Sequence, residues 1–157
     1  MTIYSGDPLT LDDVSLRTIL PETVVGESKS PDFEREINEW ASTAGARDDV
    51  LYFAIFHEGA LVGHIFLHDM DNETKTSLVG YHIFRREQRR QGIGAQALRL
   101  LQQYVIRQTD LRRLIAITTT DNAPSRAIGR KNGFTETGPS REDPDHGVVM
   151  EWLIPKR

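Results

Sequence analysis

"FRREQRRQGIG", Phe84 to Gly94, packs four arginines and two glycines into eleven residues. On its N-terminal side lies "SLVGYHIF", Ser77 to Phe84, which reads as a strand. On its C-terminal side, Gly92 to Thr109 reads as a helix. Ile93, Ala97, Leu100, Leu101 and Tyr104 form its apolar stripe, with Arg99, Gln102, Gln103 and Arg107 opposite. The first amides of a helix lack intrahelical partners and carry the positive end of its dipole. Glycine at such a start lets an anion approach the backbone, and arginine adds charge-assisted bonds. Three readings are open for the loop: nucleic-acid phosphates, the phosphates of a nucleotide cofactor, or plain solvent.

Composition narrows them. The 157 residues suit a single domain spanning 1–157. Hydrophobic residues make up 38% and charged residues 27%, as in a globular chain with a real core. A net charge of −4 makes the basic run local, which favours a small anionic ligand over a polymer. The expectation is no nucleic-acid partner. There is no cysteine, so disulfides, zinc–thiolate sites and a thiol nucleophile are excluded. That fits a cytoplasmic location. "MTIYSGDPLTLDD" does not read as a signal peptide, and no apolar run reaches the length of a membrane span.

Outward from the loop, the rest of the chain alternates between the two periods. "VSLRTIL", Val14 to Leu20, reads as a strand and "SPDFEREINEW", Ser30 to Trp40, as a helix with Pro31 in its first turn. In "VLYFAIFHEGALVGHIFLHDM", Val50 to Met70, two apolar runs flank His57-Glu58-Gly59-Ala60, a hairpin signal. Leu51, Phe53 and Ile55 face one way and Tyr52, Ala54 and Phe56 the other, so this strand is covered on both sides, which implies helices on both sides. "DNET", Asp71 to Thr74, is a turn that continues the meander into Ser77–Phe84. "LIAITTT", Leu114 to Thr120, is a strand. "NAPSRAIGRKNGF" follows as a helix, with Asn122 as cap, Pro124 in the first turn and Gly133 at the stop. "GVVMEWLI", Gly147 to Ile154, is the last strand. The order β-α-β-β-β-α-β-α-β predicts an α+β, or mixed α/β, sheet layered with helices.

"GIGAQA", Gly92 to Ala97, formally matches the dinucleotide fingerprint G-x-G-x-x-A. That motif needs its first glycine directly after a strand, and here seven residues separate Phe84 from Gly92. The acidic residue expected after the next strand is also missing. A nicotinamide or flavin site is therefore disfavoured.

"RRQGIGAQAL" strongly resembles motif A of the GNAT superfamily of acyl-CoA-dependent N-acyltransferases, with the match on Arg89, Gly92 and Gly94. "NAPSRAIGRKNGF" resembles the family's second motif, on Asn122, Ser125, Lys131, Gly133 and Phe134. The resemblance runs from Val14 to Ile154 and is nearest to the ribosomal-protein N-terminal acetyltransferases. It implies a central, mostly antiparallel sheet with splayed middle strands and helices on both faces. It implies acetyl-CoA as cofactor, a primary amine as acceptor, no membrane, and a monomer or homodimer. Carried over by position, Ile83 and Phe84 would meet the acyl end, with a backbone N–H polarising the thioester. Arg89, Arg90, Gln91, Gly92, Ile93, Gly94 and Ala95 would hold the pyrophosphate. Asn122, Ser125 and Lys131 would complete the cofactor site.

Many members place a tyrosine in the second-motif helix as the acid, and Gly129 stands there in this chain. Ser125 is then the candidate acid. His82, which titrates in the useful range, is the candidate base, with Glu136 and Glu151 as other possibilities. The missing tyrosine leaves a CoA-binding module with little catalysis as the alternative. The acceptor pocket is expected from Thr23–Thr43, the hairpin loops and the unpatterned stretch Thr135–Gly147. His64 and His68 lie about 13 Å apart on a strand at about 3.3 Å per residue, too far to share a metal.

Overall fold

A computed structural model describes residues 2–17, 49–84, 89 and 91–155. The expected helix Ser30–Trp40 and the acceptor segment Thr23–Thr43 lie outside the described residues. Among the described residues, nine strands form one sheet: β1 (Thr2–Ile3), β2 (Leu9–Leu11), β3 (Val14–Arg17), β4 (Leu51–His57), β5 (Ala60–Asp71), β6 (Thr76–Ile83), β7 (Arg113–Thr119), β8 (Thr135–Pro139) and β9 (Gly147–Leu153). Their order is β2-β3-β4-β5-β6-β7-β9-β8, with β1 alongside β4. Two helices are described, α1 (Ile93–Gln108) and α2 (Ala123–Lys131).

The turn chemistry explains the meander. Glu58 and Gly59 both take positive φ, 51° and 82°, between the paired residues His57 and Ala60. This is the two-residue hairpin whose twist matches its strands. At the next corner the Asp71 carboxylate accepts from the N–H groups of Glu73 and Thr74, at 2.8 and 3.3 Å, and fixes the turn. Helix α2 stops in a Schellman motif. Phe134 N–H donates to the Gly129 carbonyl at 2.9 Å and Gly133, at φ 85°, donates to Arg130.

β4 and β5 are buried on both faces along their middles, while β6 buries one face and leaves Leu78, Gly80 and His82 half-buried on the other. One face is largely aliphatic, with Phe53 as an aromatic member: Phe53 and Ile55, Ile65 and Leu67, Val79 and Ile83 pack under Ile93, Ala97, Leu98, Leu101 and Val105 of α1. The other is aromatic, with Tyr52 and Phe66 stacked and His64 edge-on to both. The expected double burial of this strand is borne out. Both described helices lie together: α1 covers the aliphatic face, and the Gln102 amide of α1 donates to the Asn132 carbonyl at the end of α2 at 2.8 Å. Thr135–Pro139, expected to be unpatterned, is an edge strand paired with β9. Its mostly exposed, threonine- and glycine-containing sequence carries no period, so only its partner makes it a strand.

β6 and β7 are parallel, and their pairing is brief. It covers Thr76↔Arg113, Ser77↔Leu114 and Leu78↔Ile115 and goes no further. Beyond it, β6 stays bound to β5 while β7 stays bound to β9 through Thr119↔Gly147. The two strands therefore part toward their C-terminal ends, as the resemblance implies.

Candidate active site

A cleft of about 550 Å³ fills the gap between the parted strands. Val79 to Ile83 of β6 form one wall and Ala116 to Thr118 of β7 the other. Arg89 and Gly94 border it at the start of α1, and Asn122, Ser125 and Ile128 at the start of α2.

The ladder decides which backbone groups face this gap. Phe84 N–H donates to the Val62 carbonyl at 2.9 Å. Hydrogen-bonded and non-hydrogen-bonded pairs alternate along an antiparallel ladder. His64↔His82 is then a bonded pair, while Gly63↔Ile83 and Ile65↔Tyr81 are not. The N–H and C=O groups of Tyr81 and Ile83 thus point away from β5, into the cleft. The Phe84 N–H is committed to Val62 rather than facing the cleft, and its ring lies 6.1 Å from both His64 and His82 on the aromatic face. The β6 backbone N–H groups that the β5 ladder leaves facing the cleft are those of Tyr81 and Ile83.

The start of α1 leaves its first amides without a side-chain cap. Gly92 is its cap residue at φ 76°, ψ 7°, no side chain caps the helix, and no acidic residue occupies its first turn. The first intrahelical bond is Gln96 N–H to the Gly92 carbonyl. The amides of Ile93, Gly94 and Ala95 precede it and project from the helix end. The Ile93 side chain itself is fully buried, so only its backbone can serve a ligand. A Cβ at Gly92 would meet nothing, so glycine is required there for its left-handed φ rather than for space. At Gly94 a Cβ would come within 3.3 Å of Ile128 and 3.6 Å of Tyr81, so there it is closeness of packing that glycine serves. The Arg89 Nε donates to the Ile83 carbonyl at 3.1 Å, which holds the guanidinium at the mouth of the cleft. Gln91 is an exposed turn residue beside it, and Arg90 lies outside the described residues.

The start of α2 is self-satisfied. The Asn122 side chain accepts from Ser125 N–H at 3.2 Å, an ordinary cap. It also fixes the first turn so that the Ser125 Oγ sits 3.3 Å from the Tyr81 hydroxyl. Burial raises the Tyr81 phenol above its ordinary value, partly offset by its bond to Ser125. Lys131 does not join this group. It lies six residues beyond Ser125, about 9 Å along the helix at about 1.5 Å per residue, and is exposed at the far end of α2.

Of the candidate bases, His82 lines the cleft from its place on β6 while its ring lies on the opposite, aromatic face, and the structure pairs the two glutamates with arginines. Glu136 takes a two-pronged bond from Arg126, at 2.7 and 3.0 Å, and is paired again with Arg130, which holds its carboxyl below the usual range. Glu151 pairs with Arg113 at 3.3 Å. The His82 ring stands 6.2 Å from that of His64. Burial first, and then the nearby Arg89 charge, lower the His82 pKa, so the ring is neutral at pH 7 and able to accept a proton. His64 is pushed down to about 3 by burial and by His82, and its Nδ1 is hydrogen-bonded to the Tyr52 hydroxyl at 2.9 Å.

Tyr81 carries no signal of its own in the sequence. Its spacing shows only a strand residue of intermediate polarity. Its meeting with Ser125 spans 44 positions, and no local signal carries that. Gly129 is also clarified. A Cβ there would lie 2.8 Å from the Met150 methyl and near Phe134, so the site of the usual tyrosine is filled by the core of this chain.

Known proteins place this geometry. Residues 8–135 match the Acetyltransferase (GNAT) domain family. The protein YdaF of Bacillus subtilis (strain 168), named provisionally as a ribosomal N-acetyltransferase, is 31% identical over 116 residues, covering 74% of this chain and 58% of YdaF. The chain's match thus spans little more than half of that relative. Among solved structures, the ribosomal L7/L12 alpha-N-protein acetyltransferase RimL in complex with coenzyme A superposes with a TM-score of 0.76 at 19% identity, over 94% of this chain and 98% of RimL. Spermidine N-acetyltransferase from Vibrio cholerae, in complex with CoA and spermine, gives 0.74 at 13%, over 92% and 97%. These two show a shared fold. With a family match over most of its length, the chain belongs to the GNAT acetyltransferases.

Proposed function

We propose that this protein transfers an acetyl group from acetyl-CoA to a primary amine, on a protein N-terminus or a small molecule. The observation that carries the reading is the early end of the β6–β7 pairing, which opens a cleft directly onto the uncapped start of α1. The residues present fit the donor. The amides of Ile93 to Ala95 and the Arg89 guanidinium suit a diphosphate. The inward-facing backbone of Tyr81 and Ile83 suits an extended amide arm, and one of their N–H groups suits the oxyanion of acyl transfer. Asn122 shapes the Ser125 turn, while Lys131 and Phe84 drop out of the donor site on this reading.

The amine nitrogen attacks the thioester carbon directly, so no enzyme nucleophile is needed. The carbon–sulfur bond breaks, sulfur leaves with its electron pair, and the nitrogen loses one proton. His82, neutral because of its burial, takes that proton. kcat/KM should therefore fall toward acid, with its limb below the ordinary histidine value of 6.5 and shifted or lost in His82→Gln. A single domain acting in the cytoplasm, as monomer or homodimer, completes the proposal, and the absence of cysteine supports a reducing compartment.

The test is calorimetric titration of acetyl-CoA, CoA and a random oligonucleotide into wild type and Gly92→Glu. Binding of acetyl-CoA that is lost in the variant supports the reading, and thiol release on addition of amines then gives turnover. Oligonucleotide binding without CoA binding would overturn it. CoA binding without turnover on any amine would leave a binding module.

A further inference from the structure

The hydroxyl pair across the cleft has no role in the reading above beyond that of Ser125. A serine hydroxyl is a far weaker acid than a thiol, so by itself it can orient a leaving sulfur but is a poor source of its proton. A phenol, ordinarily near 10, is much closer in acidity to a thiol of about 8.5 than a serine hydroxyl is, and although burial raises Tyr81 above that value, its bond to Ser125 offsets part of the rise. The Tyr81 phenol lies 3.3 Å from the Ser125 oxygen, within the same cleft wall. Its ring is held where Gly94 of α1 leaves room for it. The Gly129 position, where a phenol could come from α2, is closed by Met150. A phenol is therefore present at this cleft, delivered by β6 instead of α2.

Resting on the acetyl-transfer reading, we propose that Tyr81 acts through Ser125 as the proton supply for the leaving sulfur. As the carbon–sulfur bond breaks, its electron pair goes to sulfur. The Ser125 proton passes to sulfur and the Tyr81 proton passes to the Ser125 oxygen. The phenolate then regains a proton from solvent, to which the proton taken from the amine is also released. The products are the acetylated amine and free thiol. Tyr81 is thus a positioning and proton-supplying residue, and Ser125 is the group that meets sulfur.

The same pair must stabilise the thiolate of product CoA, and that can be read without any acceptor. CoA and desulfo-CoA are titrated calorimetrically between pH 6.5 and 9.5 into wild type, Tyr81→Phe, Ser125→Ala and the double variant. If the pair lowers the bound thiol by about one pH unit, CoA affinity rises nearly tenfold relative to desulfo-CoA across that range in wild type. Tyr81→Phe keeps the ring and should flatten the rise to about threefold or less, measured relative to desulfo-CoA in the same variant. Ser125→Ala breaks the pair from the other side and should flatten it as well, and the double variant should lose no more than Ser125→Ala. A full rise retained in either single variant, or losses that simply add, overturns the inference while leaving acetyl-CoA binding intact. Absence of CoA binding in wild type overturns the acetyl-transfer reading and this inference with it.

Discussion

The two faces of β6 are made of alternate residues of one short strand, yet they do opposite electrostatic jobs. Val79, Tyr81 and Ile83 look toward α1 and α2, where helix-end amides, Arg89 and a pair of hydroxyls collect around a cleft suited to an anion. Gly80, His82 and Phe84 look the other way, into an aromatic layer with Tyr52, His64 and Phe66 that disfavours charge and keeps its imidazoles neutral. The strand thus separates a place for negative charge from a place for neutral bases by the thickness of one backbone. Acyl transfer to an amine needs both: stabilised sulfur on one side and an unprotonated acceptor on the other.

The largest expected effect lies on the imidazole face. His64 has a folded pKa of about 3 against an ordinary 6.5, so between those values the unfolded chain binds the extra proton. Its contribution to stability is complete above pH 6.5 and is lost as pH falls toward 3, by at most about 1.4 kcal/mol per pH unit. Acid unfolding followed by circular dichroism should lose close to one proton of slope in His64→Phe, whatever that variant's stability at neutral pH. An unchanged slope would mean that this face tolerates charge.

On the anion face, Gly92→Glu forces a side chain into a left-handed φ and sets a carboxylate at the helix start. Acetyl-CoA affinity should fall about a hundredfold, or about 2.8 kcal/mol, by calorimetry. A smaller drop with preserved binding would move the diphosphate elsewhere in the cleft.

Gly129→Tyr sharpens the comparison differently. It restores the phenol to α2, but against Met150 it should cost about 1–3 kcal/mol of stability through overpacking and should not rescue turnover in Tyr81→Phe. Rescue would show that α2 can present a phenol to the cleft after all.

The smallest effect is expected at Asn122. Asn122→Ala removes a helix cap worth about 1 kcal/mol, lowering the thermal midpoint by about 2–4 °C in a chain of this size. Acetyl-CoA affinity should change little, because that oxygen already serves Ser125.

Much of this is legible in the sequence. The meander, both helices and the stop at Gly133 follow from local chemistry. A two-residue turn at Glu58-Gly59, an apolar stripe at helical spacing and a glycine at C′ are each decided within a few residues. The uncapped start of α1 at Gly92 is legible for the same reason, since a helix end depends only on its own backbone. What could not be read depends on which element lies beside which. Phe84 was placed at the acyl end, but the ladder with β5 commits its N–H to Val62, and register is a relation between strands. Lys131 was carried over from a motif, and helical rise puts it at the wrong end of α2. The β8 strand exists because β9 offers it a ladder.

The amino-acid sequence by itself determined the element order, the uncapped glycine start of α1 and the lack of a thiol nucleophile. These are properties of neighbouring residues and of composition. Only the tertiary structure decided that β6 and β7 part after three residue pairs, that Glu136 and Glu151 are occupied by arginines, and that Tyr81 meets Ser125 while Met150 fills the space beside Gly129. Each of those is a contact between residues distant in the chain, set by sheet register and helix packing, and no local period or propensity carries that information.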